Sequence, residues 1–541
     1  MALPIASRKW AGAVLLAAAL AIPLAITPAY LGDTFRYGVE IATHRAGQAA
    51  PYWEFGHLLW RPWGNLGVTL CGGWLRDRLG DSETLAGARF LIITNWAAGA
   101  AGLLWLGLLL ERRLPRRTAW AAAGSCAATN AILSYQQSGS PYVTGFAFLT
   151  LALYLLTAPG RWRPALAGAA YAMAVCVWFP YAVVGLGVVA AAWWWRPEEE
   201  RRGAVARLLA ALAAVTAGWY LYAVWQNGFH SVAEIRQWVA ESDNGWNQRL
   251  NLIRAVTGLP RGWLELGGDT VILKRWFFRD PYNEAGLAEL AGTLGWKLAA
   301  FYGGMAGVVW GLWRNRESRE WRWIAGGAFG PLLGFALFVF EPSSAERFLP
   351  AFPFLFGALG AVFAGRGWPA ALAALLPAAM LAGNLAALGG TGTERRDEAA
   401  ARLQAVPAGS RVMLLSLRDG IYQSANVAIF DRRLNDPRRP FTDVIEVGSV
   451  RAGSWRREFS RHARKAWEEG MEVWISERVW AERPAPEWQW VEGDDPAVRW
   501  RDVPVFFATL ETDQAVLAGR DGFRRLKRSE GNQARLAAPG P

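Results

Sequence analysis

The chain has 541 residues, 53% hydrophobic and only 19% charged, with 32 Trp and 58 Gly. That profile excludes a disordered chain and is too apolar for an ordinary soluble enzyme. A net charge of +12 raises nucleic acid as a partner. The Arg residues, however, cluster in short stretches between apolar runs, where the positive-inside rule puts them, so no nucleic-acid partner is expected.

Arg8 and Lys9 precede an apolar run over residues 10–28. Thr27-Pro28-Ala29 loosely fits a signal-peptide cleavage site. A retained first span with a cytoplasmic N-terminus is the favoured reading, because more spans follow. Residues 31–84 then form an outer loop. Its stretch 66–79 is apolar enough to lie along a membrane surface, while Arg76, Asp77 and Arg78 argue against a full crossing.

A second span at 85–110 ends on the basic cluster ERRLPRR, and spans at 118–134 and 141–157 form a hairpin returning to Arg161 and Arg163. Residues 119–160 carry no charge, and neither do residues 164–195. The latter segment is long for one span and short for two, since each needs about 20 residues. Pro180 at its middle divides it into two short helices, a choice that keeps the clusters at 112–117, 161–163, 196–207 and 314–322, and Arg366, on the cytoplasmic side. A seventh span covers 204–226.

A second outer loop runs from 227 to 289 and holds Trp238, Trp246, Trp263 and Trp276. Spans at 290–313, 324–340, 348–364 and 368–388 complete a bundle of about 11 transmembrane helices within residues 1–390. The expected fold is thus mainly α and polytopic. At about residue 389 the composition turns polar. In residues 391–541, RVMLLSL (411–417) reads as a strand. Trp455, Phe459, Ala463 and Trp467 mark one face of a helix with Gly470 past its end, and EVWIS (472–476) reads as a second strand. This predicts a small soluble α/β domain. It has no Gly-rich phosphate loop, and chain parity places it outside. The cysteines Cys71, Cys126 and Cys176 show no metal-ligand spacing and read as buried hydrophobes.

The polar residues of the first outer loop carry the functional argument. Asp33 directly follows the first span, and a carboxylate there can take a proton from an acceptor hydroxyl. Glu40, His44, Glu54 and His57 are further titratable groups in the same loop. Arg36, Arg61 and Arg347 can grip a phosphate through a guanidinium fork. Glu346 adjoins Arg347 in the turn EPSSAERF, together with Glu341. Each has a structural alternative: Asp33 as a helix cap, His57 as a packed ring, Arg61 reaching lipid phosphate, Trp60 and Trp63 as interfacial belt, and Glu341 and Glu346 as solvation of a tight turn.

Four segments together resemble the GT-C superfamily of polyprenyl-phosphate-dependent glycosyltransferases, in particular the protein O-mannosyltransferase and aminoarabinose transferase type. They are GDTFRYGVE behind the first span, FGHLLWRPWG, the Arg-bearing span AGARFLIITNWAAGAAGLLWLGLLLERRL, and ERFLPAFPFLF opening a late helix. The resemblance covers about residues 1–390. It implies inverting transfer of a sugar from a polyprenyl-phosphate donor to an acceptor hydroxyl on a protein, lipid or glycan, at the extracytoplasmic face of the bacterial inner membrane. It makes Asp33 the base, puts His57 in the active-site loop, and makes Arg347 a ligand of the lipid phosphate. The chain departs from the family pattern in Asp33-Thr34 for an Asp-Glu pair, His57-Leu58-Leu59 for the His-Pro-Pro element, and Phe348 for Tyr. No cofactor is expected beyond the lipid-linked sugar. No Asp-x-Asp motif is present, so no metal is expected either. The alternatives are a transporter or flippase for lipid-linked glycans, which Pro180 favours, and a non-catalytic envelope scaffold.

Overall fold

The computed structural model describes residues 6–26, 33–47, 52–79, 83–242, 252–266, 269–315, 318–339, 344–365, 367–388, 405–414, 443–446, 455–484, 500–518 and 521–538. Two compact units divide the chain: Met1–Trp74, Glu83–Glu265 and Lys297–Gly389 form one, and Leu75–Ser82, Leu266–Trp296 and Gly390–Pro541 the other.

The first unit is helical. Its helices are α1 (Ala6–Ala25), α2 (Thr34–Arg45), α3 (Trp60–Leu79), α4 (Glu83–Glu111), α5 (Arg116–Ala127), α6 (Asn130–Tyr135), α7 (Tyr142–Leu156) and α8 (Arg163–Val177). There follow α9 (Gly185–Trp194), α10 (Arg201–Gln226), α11 (Val232–Glu241) and α12 (Leu252–Arg261). Each stretch expected to span falls on a helix or a helix pair. Among the described residues three segments, Glu83–Glu111, Glu198–Gln226 and Trp368–Leu388, are long and apolar enough to cross a membrane by length and composition; shorter apolar helices include Gly12–Ala25, Tyr142–Leu156 and Leu349–Ala364.

Small residues let these helices approach closely. A Cβ on Gly168 of α8 would meet the Leu208 carbonyl oxygen of α10 at 2.3 Å, so only glycine fits that crossing. The break at Pro180 is real. Trp178 is extended (φ −152°, ψ 110°) and Phe179–Val184 is a 3₁₀ turn with Pro180 as its second residue, because proline brings no N–H to continue the ladder of α8. The carbonyl left without that partner, Cys176, accepts the Leu59 N–H at 3.0 Å, and the Tyr171 hydroxyl donates to the Tyr181 carbonyl at 2.7 Å. The expected span at 118–134 also bends. Thr129 caps α6, and Asn384 donates to the Ala128 and Trp263 carbonyls at 2.9 and 2.6 Å.

The outer loops are more structured than the sequence suggested. The surface stretch expected at 66–79 begins earlier, as the 20-residue helix α3. The second loop holds α11 and α12, and α11 starts with a full capping box between Ser231 and Glu234. Trp238 is buried and donates to the Trp53 carbonyl at 2.7 Å, and Trp263 is buried between Phe352 and Phe356. Trp276 is partly exposed; Trp246 and Glu341 lie outside the described residues. Late in the chain come α13 (Asp269–Phe278), α14 (Leu287–Leu290), α15 (Trp296–Arg314), α16 (Arg319–Phe338), α17 (Phe352–Ala364), α18 (Trp368–Ala373) and α19 (Leu375–Leu388).

The second unit contains a five-stranded mixed sheet of order β2-β1-β3-β5-β4, formed by β1 (Arg411–Leu414), β2 (Asp443–Glu446), β3 (Val473–Ser476), β4 (Thr512–Ala518) and β5 (Asp521–Leu526). β1 runs parallel to β2 and β3, whereas β5 is antiparallel to β3 and β4. Helix α20 (Trp455–Glu468) buries Trp455, Phe459, Ala463 and Trp467 against Val473, Ile475, Trp500 and Phe507. It ends in a Schellman motif: Met471 N–H bonds the Ala466 carbonyl at 2.8 Å and Gly470, at φ 77°, bonds Trp467. Two short helices, α21 (Asp502–Ala508) and α22 (Glu530–Ala537), complete the unit.

The boundary at 390 is corrected in one respect. Residues 266–296, assigned above mostly to an outer loop, belong to the second unit. Asn283 donates to the Pro484 carbonyl at 3.0 Å and Tyr282 packs on the same apolar core. Contacts two hundred residues apart in the chain leave no trace in composition.

Candidate active site

Asp33 directly precedes α2. Its carbonyl accepts the Tyr37 N–H at 3.0 Å, while its carboxylate makes no capping bond and is exposed. Its neighbour fixes it in place. The buried Thr34 hydroxyl accepts the Gly139 N–H at 2.7 Å and lies 3.3 Å from the Ser138 hydroxyl. Gly139 sits in the tight loop between α6 and α7, where a Cβ would meet Thr34 Cγ2 at 2.7 Å. The same loop is tied to two more elements. Trp60 Nε1 donates to the Gly139 carbonyl at 2.6 Å, and the buried Asn95 of α4 donates to the Ser138 and Ser140 carbonyls. Asn95 Oδ1 accepts from the Thr144 N–H and hydroxyl, so every polar atom of its amide is engaged.

Beside Asp33 lies a charged network. Arg61, 1% exposed, donates through Nε to Glu40 and through Nη1 to Glu54, both at 2.5 Å, and packs over the Tyr37 ring at 4.8 Å. Arg36 Nε reaches the other Glu40 oxygen at 2.8 Å. His57 Nδ1 lies 3.2 Å from Glu54 Oε1, its ring edge-on to Tyr37, and its Nε2 is buried with no hydrogen-bond partner. Burial alone would push the Glu54 carboxyl up, yet His57 and Arg61 together hold it well below the usual carboxylate range. Burial, with the Asp33 charge adding to it, pushes the Tyr37 phenol well above its usual value, so it stays neutral.

A second group approaches from the turn before α17. Glu346 is buried and accepts the Tyr135 hydroxyl at 2.6 Å, and Arg347 Nε lies 3.6 Å from its other oxygen. Tyr135 stacks edge-on with Tyr142 at 4.9 Å, and Tyr142 with Trp178 at 4.6 Å. The segment 135–139 joins the two groups, with Tyr135 on Glu346 and the Gly139 N–H on Thr34.

The candidate residues take different places in this arrangement. Asp33 occupies the N-cap position of α2, in a turn, but its exposed carboxylate makes no capping bond. Glu54, His57 and Arg61 form one network with Arg36 at its edge, and Glu346 and Arg347 form the second group. Arg61 needs correction as a phosphate ligand or lipid-reaching side chain: it is enclosed and shared between two carboxylates. His44 lies apart, stacked on Tyr52 at 3.7 Å. The residues that position Asp33, namely Thr34, Asn95 and the loop 136–140, were not singled out. Their signal was available: a lone Asn in a long apolar helix, and the uncharged polar run SYQQSGS between two apolar segments. Among the described residues no group of three or more His, Cys, Asp or Glu side chains could hold a metal ion.

No family model matches the chain, and no curated protein matches it. Among solved structures it is similar to the apo oligosaccharyltransferase of Archaeoglobus fulgidus, at 14% identity and a TM-score of 0.43, over 87% of this chain and 70% of that one. It is similar to ArnT from Cupriavidus metallidurans bound to undecaprenyl phosphate, at 13% identity and a TM-score of 0.40, over 99% and 100%. It is also similar to the arabinofuranosyltransferase AftD from Mycobacteria, at 16% identity and a TM-score of 0.43, over 98% of this chain and 40% of that one. At such identities and TM-scores these likenesses assign no activity to this chain, and its functional reading rests on its own residues.

Proposed function

We propose that the chain is an integral-membrane glycosyltransferase of the GT-C type, with about 11 spans, an N-terminus on the cytoplasmic side of the inner membrane and its C-terminal domain outside. It moves a sugar from a polyprenyl-phosphate donor to an acceptor hydroxyl. The observation that carries this reading is that one segment touches both groups: the Gly139 N–H donates to Thr34, the neighbour of Asp33, and the Tyr135 hydroxyl, four residues earlier, donates to Glu346, the neighbour of Arg347. An open carboxylate and a guanidinium are the two groups an inverting transfer needs.

In this mechanism the Asp33 carboxylate takes the acceptor proton as the acceptor oxygen attacks the anomeric carbon. The bond from that carbon to the phosphate oxygen breaks on the opposite face, and the lipid phosphate leaves with the electron pair. Arg347 offsets the growing charge, and Glu346, fixed by Tyr135, holds the guanidinium in position at little reorganisation cost. The transporter reading expects unwound backbone to offer free carbonyls to a passing ion. At Pro180 the Leu59 N–H already occupies the Cys176 carbonyl that the proline leaves without a helix donor, which favours a structural break.

Membranes containing the protein, supplied with a labelled polyprenyl-phosphate sugar, test the proposal. Label moves to an acceptor in the wild type, and Asp33→Asn lowers the rate by about 10²–10⁴-fold, the range of general-base catalysis, with unchanged amounts of protein in the membrane. Full activity in that variant removes Asp33 as the base. Transbilayer movement of the donor without transfer assigns a flippase instead.

A further inference from the structure

A second polar cluster lies where α4 and α9 end and α10 and α16 begin. Among the described residues, seven buried side-chain nitrogens there have no hydrogen-bond partner: Nε of Arg113, Arg207 and Arg322, Nε and Nη2 of Arg196, and the indole nitrogens of Trp195 and Trp321. All are donors, since guanidinium and indole groups accept nothing. Contacts join three of these residues, and chain order adds a fourth. Arg113 lies over the Trp195 ring at 5.8 Å, the Trp195 and Trp321 rings are 5.7 Å apart, and Arg196 follows Trp195 in the chain.

The acids nearby leave the cluster unsaturated. Glu320 takes Nη2 of Arg113 at 2.6 Å, and Glu200 lies 3.7 Å from Nη1 of Arg196. The remaining arms of Arg196, a residue 6% exposed, face no acceptor. Burial first, and then the charge of Arg207, lower the Arg196 pKa against the pull of Glu200. An enclosed cation short of acceptors calls for an anion with several oxygens, and guanidinium forks match phosphate in geometry. Trp193, Trp313 and Trp323, at the same helix ends, are exposed as interfacial tryptophans are.

We propose that this end of the bundle binds a phosphate group, with Arg196 at its centre and Arg113, Trp195 and Trp321 as further donors. Arg113 lies just beyond the end of α4 at Glu111, which follows Asn95 by 16 positions along the helix, about 24 Å at the helical rise of about 1.5 Å per residue. The site is thus separate from the candidate active site and independent of its assignment. Its phosphate comes from an anionic lipid headgroup or from free phosphate.

The full-length protein in phosphatidylcholine nanodiscs tests this, with inorganic phosphate as one probe and phosphatidylglycerol mixed into the discs as the other. The thermal unfolding midpoint of the wild type rises with at least one probe. The rise is lost in Arg196→Gln and reduced in Trp321→Phe, which keeps an aromatic ring but removes the donor. A rise with inorganic phosphate assigns a free anion, and a rise only with phosphatidylglycerol assigns a headgroup. No response to either probe, or equal responses in wild type and Arg196→Gln, overturns the proposal. If Arg196→Gln does not fold, Trp195→Phe and Trp321→Phe decide it by the same comparison.

Discussion

The Thr34 hydroxyl accepts the backbone N–H of Gly139 at 2.7 Å, joining the start of α2 to a loop more than one hundred residues later. Asp33 is the next residue back, so this bond sets where its carboxylate stands. Thr34→Val keeps the shape but leaves a buried N–H without an acceptor, which costs about 1–3 kcal/mol. We expect lower kcat for transfer with little change in donor KM, and recovery in Thr34→Ser. Steady-state kinetics of the three proteins checks this, and a kcat unchanged in Thr34→Val removes the positioning role.

Arg61 joins two carboxylates in an enclosed place, and removing one partner from such a set is far more damaging than the set is stabilising. Arg61→Met leaves Glu40 with only the exposed Arg36 and Glu54 with only His57, and destabilises the protein by about 3–5 kcal/mol. Arg61→Lys does not restore it, because an ammonium cannot hold two carboxylates in the planar fork geometry. Thermal unfolding of the purified variants measures both.

Glu54 gives a pH dependence of definite sign. Its folded-state pKa is depressed by His57 and Arg61 against the effect of burial. Its stabilising contribution is therefore fully present above the unfolded value of about 4.3 and is lost as pH falls below that towards the folded value. The acid limb of the wild-type stability curve should be steeper than that of Glu54→Gln, whose side chain does not titrate. Unfolding midpoints between neutral pH and pH 3 compare the two, and parallel curves contradict the assignment.

Arg347 is expected to act on the donor. Arg347→Gln loses a charge-assisted hydrogen bond to the lipid phosphate, of the order of 1.5–3 kcal/mol, and should raise donor KM by about tenfold or more while also lowering kcat. Glu346→Gln still accepts from Tyr135 but leaves Arg347 unopposed, and its loss should be smaller. Donor-concentration series on the two variants separate these effects.

The sequence by itself determined the helices, because apolar runs of span length and basic clusters between them are local properties of the chain. It located the break at Pro180, whose missing N–H acts on its immediate neighbours. It also marked Asp33, His57 and Arg347 as charged groups beside apolar segments. Only the tertiary structure decided which of these groups meet. Arg61 read as a phosphate ligand until folding put Glu40 and Glu54 on it, and Glu346 read either as a substrate-binding group or as turn solvation, whereas folding bonds Tyr135 to it. Thr34, Asn95 and Gly139 are ordinary residues whose roles arise from hydrogen bonds spanning 43 to 105 positions. Residues 266–296 joined the second unit for the same reason. Local composition sets the strength of each helix, whereas pairing between distant residues depends on how the chain packs, and no window along the sequence contains both partners.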